Sequence, residues 1–320
     1  MKTKRRLFAL TCSLLMLLLL PANAYAAGVP DAASGKVILP EESVIATTTI
    51  SEFDIINTLK NTPEEKLLEQ GYSQQEIEEI QEFSFEEALL ERAQYSETQL
   101  RNMGYDDAEI ATFKQLQNNE ISSSAVLASN YSSLTVSVSV SQASTTRIDG
   151  KFSWSWDAPP FATLLYDAPC KIACAWNGST PASVAMNTIF KNVASACIVE
   201  YYSRSTNTYS HTSAAPFTIE DAFTNVYSEF TPYYNSDSTY AKSGYMRVAI
   251  VPATTTGAIG SVGYAFSFAI GTILFEPSFE VSVGYPSGGS MGISLQVKHG
   301  NELARKMILI QSNGSYDVIY

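Results

Sequence analysis

The sequence predicts an α+β protein built in modules: a small N-terminal helical-hairpin region followed by a larger, all-β, antiparallel, sandwich-like domain. Three observations carry this. Residues 27–120 hold 20 acids against 6 bases, whereas residues 121–320 hold 12 against 10, so charge and composition change near 120. Before that point, Gly punctuates segments with helix-start signals; after it, apolar residues recur at every second position.

The chain of 320 residues opens with Lys2, Lys4, Arg5 and Arg6, an uncharged Leu-rich run from Leu7 to Leu20, Pro21, and Ala24-Tyr25-Ala26. This is the three-part pattern of a signal peptide over residues 1–26, and the apolar run is short for a membrane span of about 20 residues. Cleavage removes four positive charges and takes the formal net charge from −12 to −16. The expectation is a secreted, extracellular protein without a transmembrane anchor once the signal is cleaved. Residues 27–56, with Gly, Pro and the Thr run at 47–49, are expected as a flexible leader.

Residues 57–120 read as an acidic helical region. Pro63 suits a helix start and Gly71 a helix end. Ser73 with Glu76, Ser84 with Glu87, and Asp106 with Glu109 have capping-box spacing. Leu67, Gly71, Tyr72, Glu76 and Ile77 recur as Leu100, Gly104, Tyr105, Glu109 and Ile110 at an offset of 33 residues, giving two helix-turn-helix repeats. Leu67, Leu68, Ile77 and Ile80 form one expected apolar face, and Leu100, Met103, Ile110 and Phe113 the other. Met103-Gly104-Tyr105 after Leu100 resembles the loop of ubiquitin-associated domains and their helical relatives, over residues 67–83 and 100–116. In that family the Met-Gly-aromatic loop touches ubiquitin. The first copy reads Gln70-Gly71-Tyr72 and departs from the motif. We carry over the helix-turn-helix geometry rather than the partner, and expect Tyr72 and Tyr105 to be packing residues.

Residues 121–132 are the expected linker and 133–320 the β-domain, with residues 121–320 expected to fold alone. Leu134 to Val140 and Phe152 to Trp156 alternate as strands around Asp149-Gly150, a hairpin signal. Ile172, Cys174 and Trp176 alternate up to Asn177-Gly178, a second expected turn, and Cys197, Val199 and Tyr201 mark another strand. Val262 to Ile270 alternates large apolar residues with Gly263, Ala265, Ser267 and Ala269, the pattern of a strand buried on both faces. Phe279, Val281, Val283 and Tyr285, then Pro286-Ser287-Gly288-Gly289, then Met291 to Val297 read as a hairpin, followed by strands from Met307 to Gln311 and, past Asn313-Gly314, through Ile319. Short turns make neighbours antiparallel. A sandwich is favoured over a closed barrel. The Tyr-rich stretch 206–243 reads as a long loop, with a short helix over 219–227.

An acidic chain argues against nucleic acid as partner, and no cofactor, metal or catalytic residue is assigned. Cys170, Cys174 and Cys197 follow the signal, so a disulfide of Cys197 with Cys170 or Cys174 is open, with buried thiols as the alternative. His211 and His299 sit beside turn-like sequence. The ligand-binding candidates are Trp154, Trp156 and Asp157 at one strand end, and Tyr209, Tyr233, Tyr234 and Tyr240 in the Tyr-rich stretch: aromatic rings among polar groups, able to stack on a sugar or a protein surface. Because the β-domain is nearly neutral, binding there is expected to depend little on salt. The functional reading is a secreted bacterial-type, non-enzymatic, extracellular or cell-surface binding protein, its partner a glycan, a cell-wall polymer or a protein surface. The alternatives are a secreted carboxylate-dependent hydrolase drawing on Asp157, Asp167, Glu200, Glu276 or Glu280, and a membrane-active β-protein that inserts a hairpin. The sequence leans against enzymatic activity without deciding it.

Overall fold

The computed structural model describes residues 43–118, 131–161, 169–179, 190–221, 225–234, 238–253, 258–270, 275–278, 294–297 and 301–318. The signal segment, residues 121–130 of the expected linker and the expected turn at 286–289 lie outside the described residues.

Strand β1 (Ser43–Ser51) leads into six helices: α1 (Glu52–Asn61), α2 (Glu64–Glu69), α3 (Gln74–Glu82), α4 (Phe85–Ala93), α5 (Glu97–Met103) and α6 (Asp107–Gln117). The strands that follow are β2 (Ser133–Ala143), β3 (Ile148–Trp156), β4 (Cys170–Ser179), β5 (Phe190–Ser203), β6 (Tyr209–Ala215), β7 (Phe217–Asp221), β8 (Asn225–Phe230), β9 (Tyr233–Tyr234) and β10 (Thr239–Pro252). The series ends with β11 (Ser261–Ile270), β12 (Phe275–Ser278), β13 (Ser294–Val297), β14 (Asn301–Gln311) and β15 (Tyr316–Val318). One sheet runs β1-β2-β3-β10-β5-β6, with β9 added on β10; the other runs β15-β14-β11-β4-β8-β7; β12 and β13 pair separately. Every pairing is antiparallel. The sandwich-like architecture expected from the alternation is present.

Alternation builds the core. Phe152, Trp154 and Trp156 of β3 point inward, as do Ile172, Cys174 and Trp176 of β4, and Tyr264, Phe266 and Phe268 of β11. Phe152 stacks on Phe266 at 5.8 Å between ring centroids. The small residues of β11 are buried on the opposite face, as its sequence predicts.

The helical repeat is present. Gly71 (φ 91°) and Gly104 (φ 108°) adopt the left-handed conformation at the two reversals. Ser73–Glu76 and Asp106–Glu109 close capping boxes, and Ser84 accepts from the Glu87 amide at 3.2 Å. A further box, Ser96–Gln99, escaped the sequence reading because its third residue is Gln within a Ser/Glu/Thr run. Leu68 is exposed, unlike the other residues expected on its face.

The first repeat shares the sandwich core. Ile55, Ile56, Leu59, Leu67, Ile77 and Ile80 belong to the same buried cluster as the inward strand residues, and the second repeat forms a separate cluster with Tyr131, Ala158 and Phe161. The change of charge and period near 120 therefore does not coincide with a break in packing.

Several expectations are corrected. Residues 43–51 of the expected leader form β1, paired with β2 from Ser43↔Val140 to Ser51↔Ser133. Its β-branched Thr run suits an edge strand, and Ile45 and Ile50 pack on the core. The stretch 206–243 is largely strand, and the expected helix at 219–227 is instead β7 and β8, paired through Ile219↔Val226. Asn177-Gly178 lies inside β4, opposite Gly263 and Val262. Asp149-Gly150 lies inside β3; the turn falls at 144–147, closed by the Ser144 amide on the Arg147 carbonyl at 2.9 Å.

Tertiary packing explains this Asp-Gly pair. A Cβ on Gly150 would meet the Tyr264 ring at 3.0 Å. Asp149 is fully buried and accepts hydrogen bonds from Arg147 (2.7 and 3.0 Å) and Arg247 (3.1 Å from Nε). The Arg side chains remain 35% and 41% exposed, so they regain water if the carboxylate is removed. Asp149→Ala is therefore expected to cost about 2 kcal/mol, below the about 3–5 kcal/mol of a fully buried broken pair, as read by urea denaturation.

Candidate functional site

The aromatic residues singled out in the sequence are mostly interior. Trp154 and Trp156 are 2% exposed, because inward alternation of β3 places both on the core face. Trp154 stacks on Phe230 with centroids 5.2 Å apart. Tyr240 is fully buried and donates to Asn207 Oδ1 at 2.8 Å. Tyr233 is buried beneath the Arg204 guanidinium, which lies 5.0 Å from the ring centroid. The Tyr234 backbone pairs with Thr239 in β9–β10, and its side chain lies outside the described set. Among the described side chains of this set Tyr209 alone is exposed, at 57%; its hydroxyl lies 3.0 Å from that of Thr212. Asp157 closes the end of β3, accepting from the Ser133 and Ala158 amides at 2.8 and 2.6 Å. An open aromatic platform at Trp154, Trp156, Tyr233 and Tyr240 is thus replaced by core packing.

Of the two alternatives open for the cysteines, the structure has the buried thiols. Cys170, Cys174 and Cys197 are free and buried, the first two in one sheet and the third in the other. Burial pushes the Cys197 thiol up to about 12, and raises Cys170 and Cys174 as well. Such thiols carry almost no thiolate at neutral pH and are poor nucleophiles. His211 stacks on Tyr201 at 4.8 Å, and His299 lies outside the described residues. Among the hydrolase carboxylates, Glu200 accepts from the Ser243 hydroxyl at 2.7 Å, while Asp167 and Glu280 lie outside the described residues.

The structure instead gathers buried polar and charged groups where the helices meet the sandwich. Asn207, at φ 51° in the β5–β6 turn, donates to the Met103 carbonyl at 3.0 Å and accepts from Tyr240 and Lys242. A Cβ on Gly104 would come 2.7 Å from the Asp157 carbonyl oxygen. The Met103-Gly104-Tyr105 loop is therefore seated on this chain's own sandwich. Tyr105 is buried, as expected of a packing residue, and Tyr72 packs part-buried on the main core. The Tyr105 hydroxyl accepts from Arg92 at 2.9 Å. Arg92, 7% exposed, also donates to the Pro159 carbonyl at 3.0 Å and lies 4.0 Å from the Phe161 ring centroid. Glu52 accepts from the Phe161 amide at 2.8 Å, so helices hold the 157–161 strap from two sides.

Beside this seam opens a cleft of about 750 Å³. Glu79 and Glu82 of α3 and Glu87 and Glu91 of α4 line it, together with the rings of Phe83, Tyr95 and Phe161. Arg92, Met103 and the residues Ser203, Arg204, Ser205 and Ser238 complete the walls. The spacing explains the rim: Glu87 and Glu91 stand four apart on α4, and Glu79 and Glu82 three apart on α3, so each pair shares a helix face. The four glutamates are exposed, Arg92 is buried, and Arg204 is half-buried with its guanidinium over the Tyr233 ring, so acids outnumber cations at the rim. The cleft therefore presents an anionic rim over aromatic surface, suited to a cationic group carried on an apolar stem. None of its acids was read in the sequence as a site residue, Glu87 serving there only as a helix-cap signal, because a Glu-rich helix looks alike whether it faces water or a cleft.

No protein-family model matches the chain, and no curated protein matches it. Solved structures that align with it include the collagen-binding domain of a Staphylococcus aureus adhesin, at 7% identity, covering 49% of this chain and 89% of that one with a TM-score of 0.24. The KRT10-binding region of a pneumococcal serine-rich repeat protein aligns at 9% identity over 43% of this chain and 76% of its own, TM-score 0.20. A Streptococcus parasanguinis fimbrial structure, concerned with pH-induced modulation of adhesion, aligns at 8% identity over 53% and 80%, TM-score 0.20.

Proposed function

We propose that this is an extracellular binding protein that takes a basic segment of a protein partner in the cleft between α3–α4 and the β5–β6 turn. The observation that carries the reading is the cleft's lining, four exposed glutamates over Phe83, Tyr95 and Phe161. Lysine and arginine side chains match such a surface: the charged head meets carboxylate and the methylene stem covers the rings. The export-type N-terminus of the sequence supports the location.

A Lys/Arg-rich peptide is expected to bind with an affinity that falls steeply as salt rises, the opposite of what a neutral aromatic site would give. Replacing Glu87 and Glu91 together with Gln is expected to weaken binding at least tenfold, about 1.4 kcal/mol, with the melting temperature unchanged because both acids are exposed. Calorimetric titration of wild type and variant at two salt concentrations reads both effects. Salt-independent binding, or preference for a neutral glycan over the peptide, would return the ligand to the class expected from the sequence.

A further inference from the structure

Strand β5 ends at Ser203, and the turn that follows brings Asn207 beside the start of β10, where Tyr240 pairs with Tyr202. The turn fixes the Asn207 side chain. Its backbone amide donates to the Ser203 carbonyl at 2.8 Å, and its φ of 51° lies in the left-handed region that few side chains adopt. Its Nδ2 donates to the Met103 carbonyl at 3.0 Å, and its Oδ1 accepts from the Tyr240 hydroxyl at 2.8 Å. The side-chain amide is therefore held at both ends and presents its carbonyl in one orientation.

Against that carbonyl lies an amine. Lys242 Nζ is 2.9 Å from Asn207 Oδ1, and the carbonyl carbon, one bond of about 1.2 Å further on, is within about 4 Å. A nucleophile poised to react stands about 3–3.5 Å from its carbon, so a small movement suffices. Lys242 is half-buried, with Nζ 4.9 Å from the centroid of the Tyr202 ring. Desolvation lowers its pKa against the opposing charge of Asp157, so the neutral, nucleophilic amine is reached more readily than on an exposed lysine. Burial keeps the Tyr240 phenol protonated, a donor aimed at the oxygen where charge collects when the carbonyl is attacked.

We propose that Lys242 and Asn207 condense into an intramolecular amide, releasing ammonia. The Lys242 ammonium gives up one proton, which Asp157 takes up by way of solvent. The Nζ lone pair adds to Asn207 Cγ, and the charge gathered on Oδ1 meets the Tyr240 hydroxyl. Collapse restores the carbonyl, breaks the Cγ–Nδ2 bond and leaves a Cγ–Nζ bond. Nδ2 takes a second proton from Nζ and departs as ammonia, which then collects the proton held by Asp157. The atoms balance without an oxidant or other co-reactant. The one N–H left on the new amide replaces Nδ2 as donor to Met103. The bond ties the β5–β6 turn to β10, behind the cleft wall formed by Ser203, Arg204, Ser205 and Ser238. In a chain whose Cys170, Cys174 and Cys197 are free, it is a covalent staple indifferent to redox conditions.

The test is the mass of the purified full chain, measured after denaturation. It is expected to fall short of the sequence mass of the processed chain by one ammonia. Proteolytic digestion should yield one branched peptide joining Asn207 to Lys242 in place of two linear ones. Lys242→Arg keeps the positive charge but not the amine, and should restore the full mass. A wild-type chain of full mass overturns the proposal. So does an ammonia loss that survives in Lys242→Arg, which marks a succinimide at Asn207 instead. The branched peptide is read on the wild type alone, so the result stands even where the variant fails to fold. Tyr240→Phe and Asp157→Asn remove the donor and the proton acceptor, and each should slow condensation by about tenfold or more, followed by mass after cell-free synthesis. Condensation at the wild-type rate in either variant overturns the role given to that residue.

Discussion

A fragment lacking residues 27–120 is expected to lose cooperative folding, with broad, non-cooperative thermal melting in place of a sharp transition. Truncation removes β1, exposing the full edge of β2 that it pairs with from Ser133 to Val140. An open edge of that length is itself a site for association between chains. The cut also takes Ile55, Ile56, Leu59, Leu67, Ile77 and Ile80 out of the main core. Each fully buried aliphatic side chain contributes about 1.5–3 kcal/mol, so together these six rival a typical folding free energy of about 5–15 kcal/mol. The strap at 157–161 loses Glu52 and Arg92 at the same stroke, leaving the Phe161 amide and the Pro159 carbonyl without those partners. Circular dichroism of the 121–320 fragment measures the outcome. A cooperative, β-type melt close to that of the full chain would mean the helices are an appended module after all, as the charge break alone suggests.

What the sequence disclosed follows from how local each signal is. The Gly-terminated, capped helices were legible because a cap and a left-handed glycine are properties of four or five consecutive residues, as at Ser73–Glu76 and Gly104. The double burial of β11 was legible because both of its faces are written in one strand: large residues on one, Gly263, Ala265, Ser267 and Ala269 on the other. Signals of tertiary origin misled. Asp149-Gly150 has the composition of a tight turn, yet the Asp is needed by Arg147 and Arg247 and the Gly by the Tyr264 ring, partners distant in sequence. Tyr233 and Tyr240 lie among Ser, Thr and Asn and so resemble loop residues, but a strand alternates, and its polar half conceals the buried half. The cleft was illegible for the same reason in reverse. Its glutamates become a site only because the β5–β6 turn, more than a hundred residues later, is brought opposite them.

The seating of the helices on the sandwich can be measured at a single atom. Gly104→Ala is expected to cost about 3 kcal/mol, and Gly71→Ala about 1 kcal/mol, although both glycines end a helix in equivalent turns of the repeat. At Gly71, which is exposed at φ 91°, the added methyl brings chiefly the conformational penalty of a left-handed residue. At Gly104, φ is 108° and the same methyl lies 2.7 Å from the Asp157 carbonyl oxygen. That oxygen is backbone, in a strap whose next carbonyl but one receives Arg92, so it cannot swing aside as a long side chain would. Relief requires the loop to lift, which stretches the 3.0 Å hydrogen bond from Asn207 to the Met103 carbonyl. Asn207→Ala in the Gly104→Ala background should therefore cost less than in wild type, because the bond is already weakened. Urea denaturation of the two single glycine variants and the Asn207 cycle gives every term. Equal costs at Gly71 and Gly104, with additive effects at Asn207, would mean that the Met103-Gly104-Tyr105 loop is not seated on the sandwich in solution and that its face is free for another partner.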